Sequence, residues 1–169
     1  MAEITLRGEL LTTRGELPVV GTMAPDAELV KTDLRTMMIS DYKGTNLVLN
    51  IFPSIDTSTC ARSVRAFNEK ASSLANTKVL CISRDLPFAQ KRFCGAEGLS
   101  NVENLSDFKE GAFGKKYGLE IASGRLRGLH ARAVVVIDES GKVIYTQLIR
   151  ELTQEPDYNA AITSLNNQV

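Results

Sequence analysis

Two short, unbroken apolar runs constrain this chain most: NLVLNIF at residues 46–52 and KVLCIS at residues 78–83. A strand wet on one side alternates apolar and polar residues, whereas a continuous apolar run marks a strand covered on both faces. Covering both faces requires helices, and the sequence offers them. Ala61, Val64, Phe67, Ala71 and Leu74 recur at helical spacing between about Ser58 and Leu74. LPFAQKRFCGAEG predicts a short helix entered at Pro87 and broken by Gly95 and Gly98. NVENLSD reads as a third strand and FKEGAFGKKYG as a glycine-weakened helix. ARAVVVIDESGKVIYTQLI gives two strands around the turn Asp138–Gly141, and EPDYNAAITSLN a terminal helix starting at Pro156. Upstream, EITLRGELLTTRGELP reads as a small hairpin turning at Arg7-Gly8 or Arg14-Gly15, and DAELVKTDLRTMMISDYKG as a second short strand pair ending at Gly44. The order predicts one α/β domain over residues 1–169, its mixed sheet parallel in the first half and antiparallel at the final hairpin.

Composition removes several function classes. The 20 basic and 20 acidic residues cancel, so no basic surface excess invites nucleic acid. No apolar stretch approaches the ~20 residues of a membrane helix. The opening MAEITLRGELL lacks the features of a secretory signal, which predicts a cytoplasmic protein. In a reducing compartment, the three cysteines are not expected to be structural staples. Cys60, Cys81, Cys94 and the single histidine, His130, show none of the close ligand pairs that zinc sites use. His130 also lacks the G-x-S-x-G partner motif of a serine hydrolase.

The chemistry concentrates at Cys60. The stretch PSIDTSTC, Pro53 to Cys60, joins a buried strand to a helix and places the thiol in the helix's opening turn. A cysteine reacts as its thiolate. Free N–H groups and the positive dipole end at a helix start favour that anion. Thr57, three residues earlier, can turn its hydroxyl toward the sulfur. Arg132, just ahead of AVVVI, is the candidate cation, and Pro53 is placed to shield one side. Taken singly, these residues would be a strand terminator, a helix cap and a solvated charge.

Together, Pro53, Thr57 and Cys60 form P-x-x-x-T-x-x-C, and the chain resembles the peroxiredoxins at this motif. The fuller PSIDTSTC and the N-terminal hairpin are similar to the thiol peroxidase subfamily, the atypical two-cysteine type. The resemblance implies a thioredoxin-like fold and reduction of hydrogen peroxide and organic hydroperoxides to water and alcohols, with a role in antioxidant defence. It makes Cys60 the peroxidatic thiol, assisted by Pro53, Thr57 and Arg132, with no cofactor. A dithiol exchanger would need C-x-x-C, and Thr57 stands where the first cysteine would be.

The Cys60 sulfenic acid needs a second thiol. Cys81 sits in an apolar strand, the setting of an inert filler. Cys94 sits on a helix that two glycines make easy to fray, with Lys91 and Arg92 nearby to encourage its thiolate. The resemblance likewise puts the resolving cysteine on this helix, implying an intrachain Cys60–Cys94 disulfide recycled by thioredoxin, and a homodimer. A redox sensor built on the same cysteines is the alternative.

Overall fold

The computed structural model describes residues 1–167. β1 (Glu3–Leu6) and β2 (Glu9–Thr12) form an antiparallel hairpin that turns at Arg7-Gly8, both at positive φ. β3 (Glu28–Lys31) and β4 (Thr36–Met38) pair next, followed by one 3-10 turn over Ile39–Tyr42. β5 (Asn46–Ile51), α1 (Ser58–Ala71), β6 (Thr77–Ser83), α2 (Pro87–Glu97) and β7 (Val102–Ser106) make two successive β-α-β units. The chain closes through α3 (Ala112–Lys116), β8 (Ala133–Ile137), β9 (Val143–Leu148) and α4 (Tyr158–Asn166).

The seven-stranded sheet runs β4-β3-β7-β6-β5-β8-β9. β5, β6 and β7 are parallel, while the β3, β4, β8 and β9 pairings are antiparallel. The expected α/β class and mixed sheet are present. The parallel part is the centre rather than the first half, because the early pair β3–β4 joins the far edge through β7. Both apolar runs became interior strands, with Leu47–Leu49 and Val79–Ile82 almost completely buried.

The sheet separates two cores. One face carries Leu49, Ile51, Leu80, Ile82, Phe113 and Tyr117. The other packs α1 and α4 over Val48, Val79, Cys81, Val134 and Val136, with Phe67 meeting Tyr158 edge-on at 5.0 Å. Cys60 belongs to this second core.

Three local expectations need correction. α2 runs straight through Gly95 and ends only at Gly98, which takes the left-handed conformation (φ 67°) that closes a helix cheaply. A single glycine weakens a helix by ~1 kcal/mol, which its neighbours here offset. α1 ends at Ala71 rather than Leu74. Pro156 lies outside α4, whose cap is Asp157, accepting from the Ala160 amide at 2.9 Å.

His130 is fully buried with its Nε2 2.8 Å from Asp107 Oδ2, and the same carboxylate accepts the Phe113 and Gly114 amides. Its role is to anchor the start of α3. Leu49 sits on β5 between β6 and β8 with no exposure. Leu49→Ala is therefore expected to cost roughly 2–5 kcal/mol, read as a lower denaturation midpoint at unchanged m-value.

Candidate active site

β5 ends at Ile51, and the chain turns through Pro53–Asp56 into α1. Thr57 is the helix cap: its Oγ1 accepts the Cys60 amide at 3.3 Å and donates to the Ser54 carbonyl at 3.2 Å. The threonine thus holds the backbone around Cys60, where sequence reasoning had aimed its hydroxyl at the sulfur. Cys60 is fully buried at the third position of the helix. Its carbonyl accepts Ser63 Oγ at 2.7 Å, and Ser63 Oγ also takes Asn50 Nδ2 at 3.1 Å. α1 is therefore tied near the C-terminal end of β5, one turn on from the cysteine.

Arg132 departs furthest from its appearance in the sequence. It is 2% exposed, not a solvated charge. The β5–β8 register pairs Ile51 with Ala133, so Arg132 lies beside the start of the Pro53 turn. Nε and one terminal nitrogen donate to the Leu152 carbonyl at 3.1 and 2.8 Å. The other, Nη1, is buried without a partner among the described residues. The next carbonyl, Thr153, accepts Thr59 Oγ1 at 3.3 Å, so one short segment holds both the arginine and the first turn of α1.

Pro53, Thr57, Thr59 and Arg132 line a single cleft of about 480 Å³. Leu126, Leu129 and Leu152 supply apolar walls, and Leu6 and Arg7 of the hairpin close one side. These wall residues were invisible in the sequence, because chain topology alone brings residues 6, 126 and 152 together.

All three cysteines are free thiols. Cys81 is fully buried, and that burial pushes its thiol up to about 12, against a weak pull from Asn50. Cys94 is partly exposed on α2 and accepts Asn104 Nδ2 from β7 at 2.7 Å. Burial also raises the Cys94 thiol above its ordinary value, Asn104 opposing and Glu97 adding to the rise. Lys91 and Arg92 do not reverse this: Arg92 instead faces Asp56 at 3.7 Å. α2 is fastened to α1 by the paired hydrogen bonds of Arg65 to Glu97, at 2.9 and 2.8 Å, with Arg65 lying 5.7 Å over the Phe93 ring.

Among the described residues no group of three or more His, Cys, Asp or Glu is placed to hold a metal, and no helix is long and apolar enough to cross a membrane. The structure offers a buried thiol in the first turn of α1, and a buried cation on the wall of the cleft that this turn also lines; Cys60 itself is not among the cleft's lining residues.

Comparison with known proteins agrees. Residues 19–162 match the Redoxin family. A thiol peroxidase of Corynebacterium glutamicum is 52% identical over 98% of this chain and 100% of its own. One from Mycobacterium tuberculosis is 53% identical over 98% of this chain and 99% of its own. Among solved structures, a peroxiredoxin-like protein from Aquifex aeolicus superposes with a TM-score of 0.94 at 37% identity, covering 100% of this chain and 98% of that one. A thiol peroxidase from Chromobacterium violaceum shares the fold, with a TM-score of 0.86 at 22% identity over 97% and 95% of the two chains. With near-complete coverage at this identity, the chain belongs to the redoxin family, in its thiol peroxidase branch.

Proposed function

We propose that Cys60 is the peroxidatic thiol of a hydroperoxide reductase, with Pro53, Thr57 and Arg132 forming its site and Cys94 resolving the product. The observation that carries this reading is the unpartnered Arg132 Nη1, buried in the cleft that Pro53 and Thr57 also line. A buried cation with a free donor suits an anion or a developing oxyanion.

The Cys60 thiolate attacks the terminal oxygen of ROOH. An S–O bond forms as the O–O bond breaks, and RO⁻ leaves to take up a proton. Sulfur loses two electrons and the peroxide gains them, giving Cys60 sulfenic acid and ROH. Negative charge moves from sulfur toward the leaving oxygen, so preorganised donors along that path lower the barrier. Arg132 is such a donor, and Thr57 fixes the first turn of α1 around it by taking the Cys60 amide. The apolar cleft walls suit organic hydroperoxides as well as hydrogen peroxide.

The Cys94 thiol then attacks the sulfenic sulfur, water leaves, and a Cys60–Cys94 disulfide forms within the chain. Cys94 is held away from this encounter by Asn104 and by the Arg65–Glu97 pair, so α2 opens locally before the bond closes. A dithiol of the thioredoxin type returns both cysteines to thiols by exchange. The three free thiols fit a reducing cytoplasm. The exposed Leu86 and Phe88 at the head of α2 offer apolar area for the subunit contact of a homodimer.

Cys60→Ser is expected to abolish peroxide consumption in a coupled assay with thioredoxin, thioredoxin reductase and NADPH; near-wild-type turnover would remove Cys60 from the mechanism. Arg132→Met should slow single-turnover oxidation by tert-butyl hydroperoxide ~10²–10³-fold. An unchanged rate would reduce Arg132 to a structural residue. Cys94→Ser should consume one equivalent of peroxide, accumulate trappable sulfenic acid and stall.

The raised Cys94 thiol also sets a pH dependence. Its folded value lies above the ordinary 9.0, so its contribution to the closed α2 is full below 9.0 and is lost as pH rises through the folded value. Amide exchange of residues 93–98 in the reduced protein, corrected for intrinsic rate, should therefore show opening that grows across this alkaline window. Cys94→Ser should flatten that rise.

A further inference from the structure

We propose that Asp85 is a positioning residue for the peroxide reaction, acting on Cys60 through the turn that precedes α1. This rests on the reading of Cys60 as the peroxidatic thiol. Asp85 lies beyond the end of β6 and immediately before Leu86, the cap residue of α2. Its carboxylate collects three hydrogen bonds. Ser54 Oγ donates to Oδ1 at 2.8 Å, and the Ile55 amide donates to Oδ2 at 2.7 Å. Ser83 Oγ also donates to Oδ2, at 2.6 Å. Two of the three donors belong to the Pro53–Thr57 turn.

The arrangement continues inward. Ser54 Oγ, held by Asp85, accepts the Asp56 amide at 3.2 Å. The Ser54 carbonyl accepts both the Thr57 amide and the Thr57 hydroxyl at 3.2 Å. That hydroxyl accepts the Cys60 amide. A continuous path of hydrogen bonds therefore runs from Asp85 through Ser54 and Thr57 to the peptide of the reactive cysteine. On the far side Asp85 is itself fixed: its carbonyl accepts Ser106 Oγ of β7, and its amide donates to Ser83 Oγ at 3.3 Å. Gln90 of α2 donates to the same Ser83 oxygen at 3.2 Å.

An ionised carboxylate is the group that can accept all these donors at once, and such charge-assisted bonds are stronger than neutral ones. It sets where the first-turn amides point without touching substrate. A shift of ~1 Å in such a frame can cost about 10²-fold in rate. The same residue joins the Cys60 turn to the head of the helix carrying Cys94.

The test uses Asp85→Asn in the full-length reduced protein. The amide keeps the side chain's volume but presents one oxygen where two accepted, so the turn loses an anchor. Single-turnover oxidation by tert-butyl hydroperoxide should fall roughly 10- to 100-fold. Alkylation of Cys60 by iodoacetamide, followed by peptide mass, should be as fast as wild type or faster, because loosening the turn uncovers a buried sulfur. Asp138→Asn removes a carboxylate that likewise gathers turn donors, those of Ser140 and Lys142 in the β8–β9 turn, and should leave both rates at wild-type values. Unchanged peroxide oxidation in folded Asp85→Asn, equal slowing with both reagents, or equal slowing by Asp138→Asn would each overturn the proposal. These outcomes are separable from failure of the parent reading, which shows as activity retained in Cys60→Ser.

Discussion

The candidate site turns on a buried cation that forms no ion pair among the described residues. Removing a guanidinium from water costs several kcal/mol unless good partners replace the solvent. Among the described residues Arg132 donates only to the Leu152 carbonyl, from two of its nitrogens, while Nη1 has no partner. Nothing about folding requires an arginine there. A methionine or leucine would fill the volume beside β8 at lower cost, which is why the proposed mechanism assigns Arg132 to developing negative charge. Its position depends on the β5–β8 register, which sets residue 132 against the Pro53 turn, and on the Leu152–Thr153 segment that clamps it.

The cysteine is prepared by complementary means. Thr57 caps α1 by using its hydroxyl on the Cys60 amide, and the helix start adds its partial positive charge. Beneath the cysteine, Ser63 and Asn50 connect the helix to the central strand. Asn50 and Ser63 are fully buried polar residues within an apolar core. Such groups favour one arrangement of helix on sheet over sliding alternatives, since any shift would leave donors unpaired. The rigidity that holds Cys60 therefore comes from β5, and the covering helix merely displays it.

Much of this was legible in the sequence, and the reason is locality. The unbroken apolar runs fixed the interior strands, and P-x-x-x-T-x-x-C lies within one strand-to-helix turn, where spacing translates into geometry. Arg132 could be named from its place ahead of AVVVI as the candidate cation, but its burial could not be read, because a charge ahead of a strand carries no mark of being buried. Asp85, Asn104 and Leu152 carried no mark at all: each matters through a partner many residues away that the sheet order delivers. The misjudged details share a cause. Gly95 was given its intrinsic cost without the neighbours that offset it. Lys91 and Arg92 were given their charge without the burial that outweighs it at Cys94.

The two thiols sit in opposed environments for a physical reason. In the proposed mechanism Cys60 meets an external peroxide inside a fixed set of donors, which favours a locked helix start. There Cys94 meets an internal sulfenic acid only afterwards, which favours a thiol kept neutral and restrained until then. Burial and Glu97 hold the Cys94 thiol up, and Asn104 keeps its sulfur against β7. The restraints on α2 are of the easily released kind: a partly exposed Arg65–Glu97 pair and the Arg92–Asp56 pair, both at the surface. Surface pairs of this sort are screened by solvent and add little to stability. Rigidity is thus concentrated under Cys60 and at the head of α2, where buried Gln90 donates to Ser83 and the Leu105 carbonyl, so opening only the Cys94 end of the second helix need not dismantle the core that holds the first.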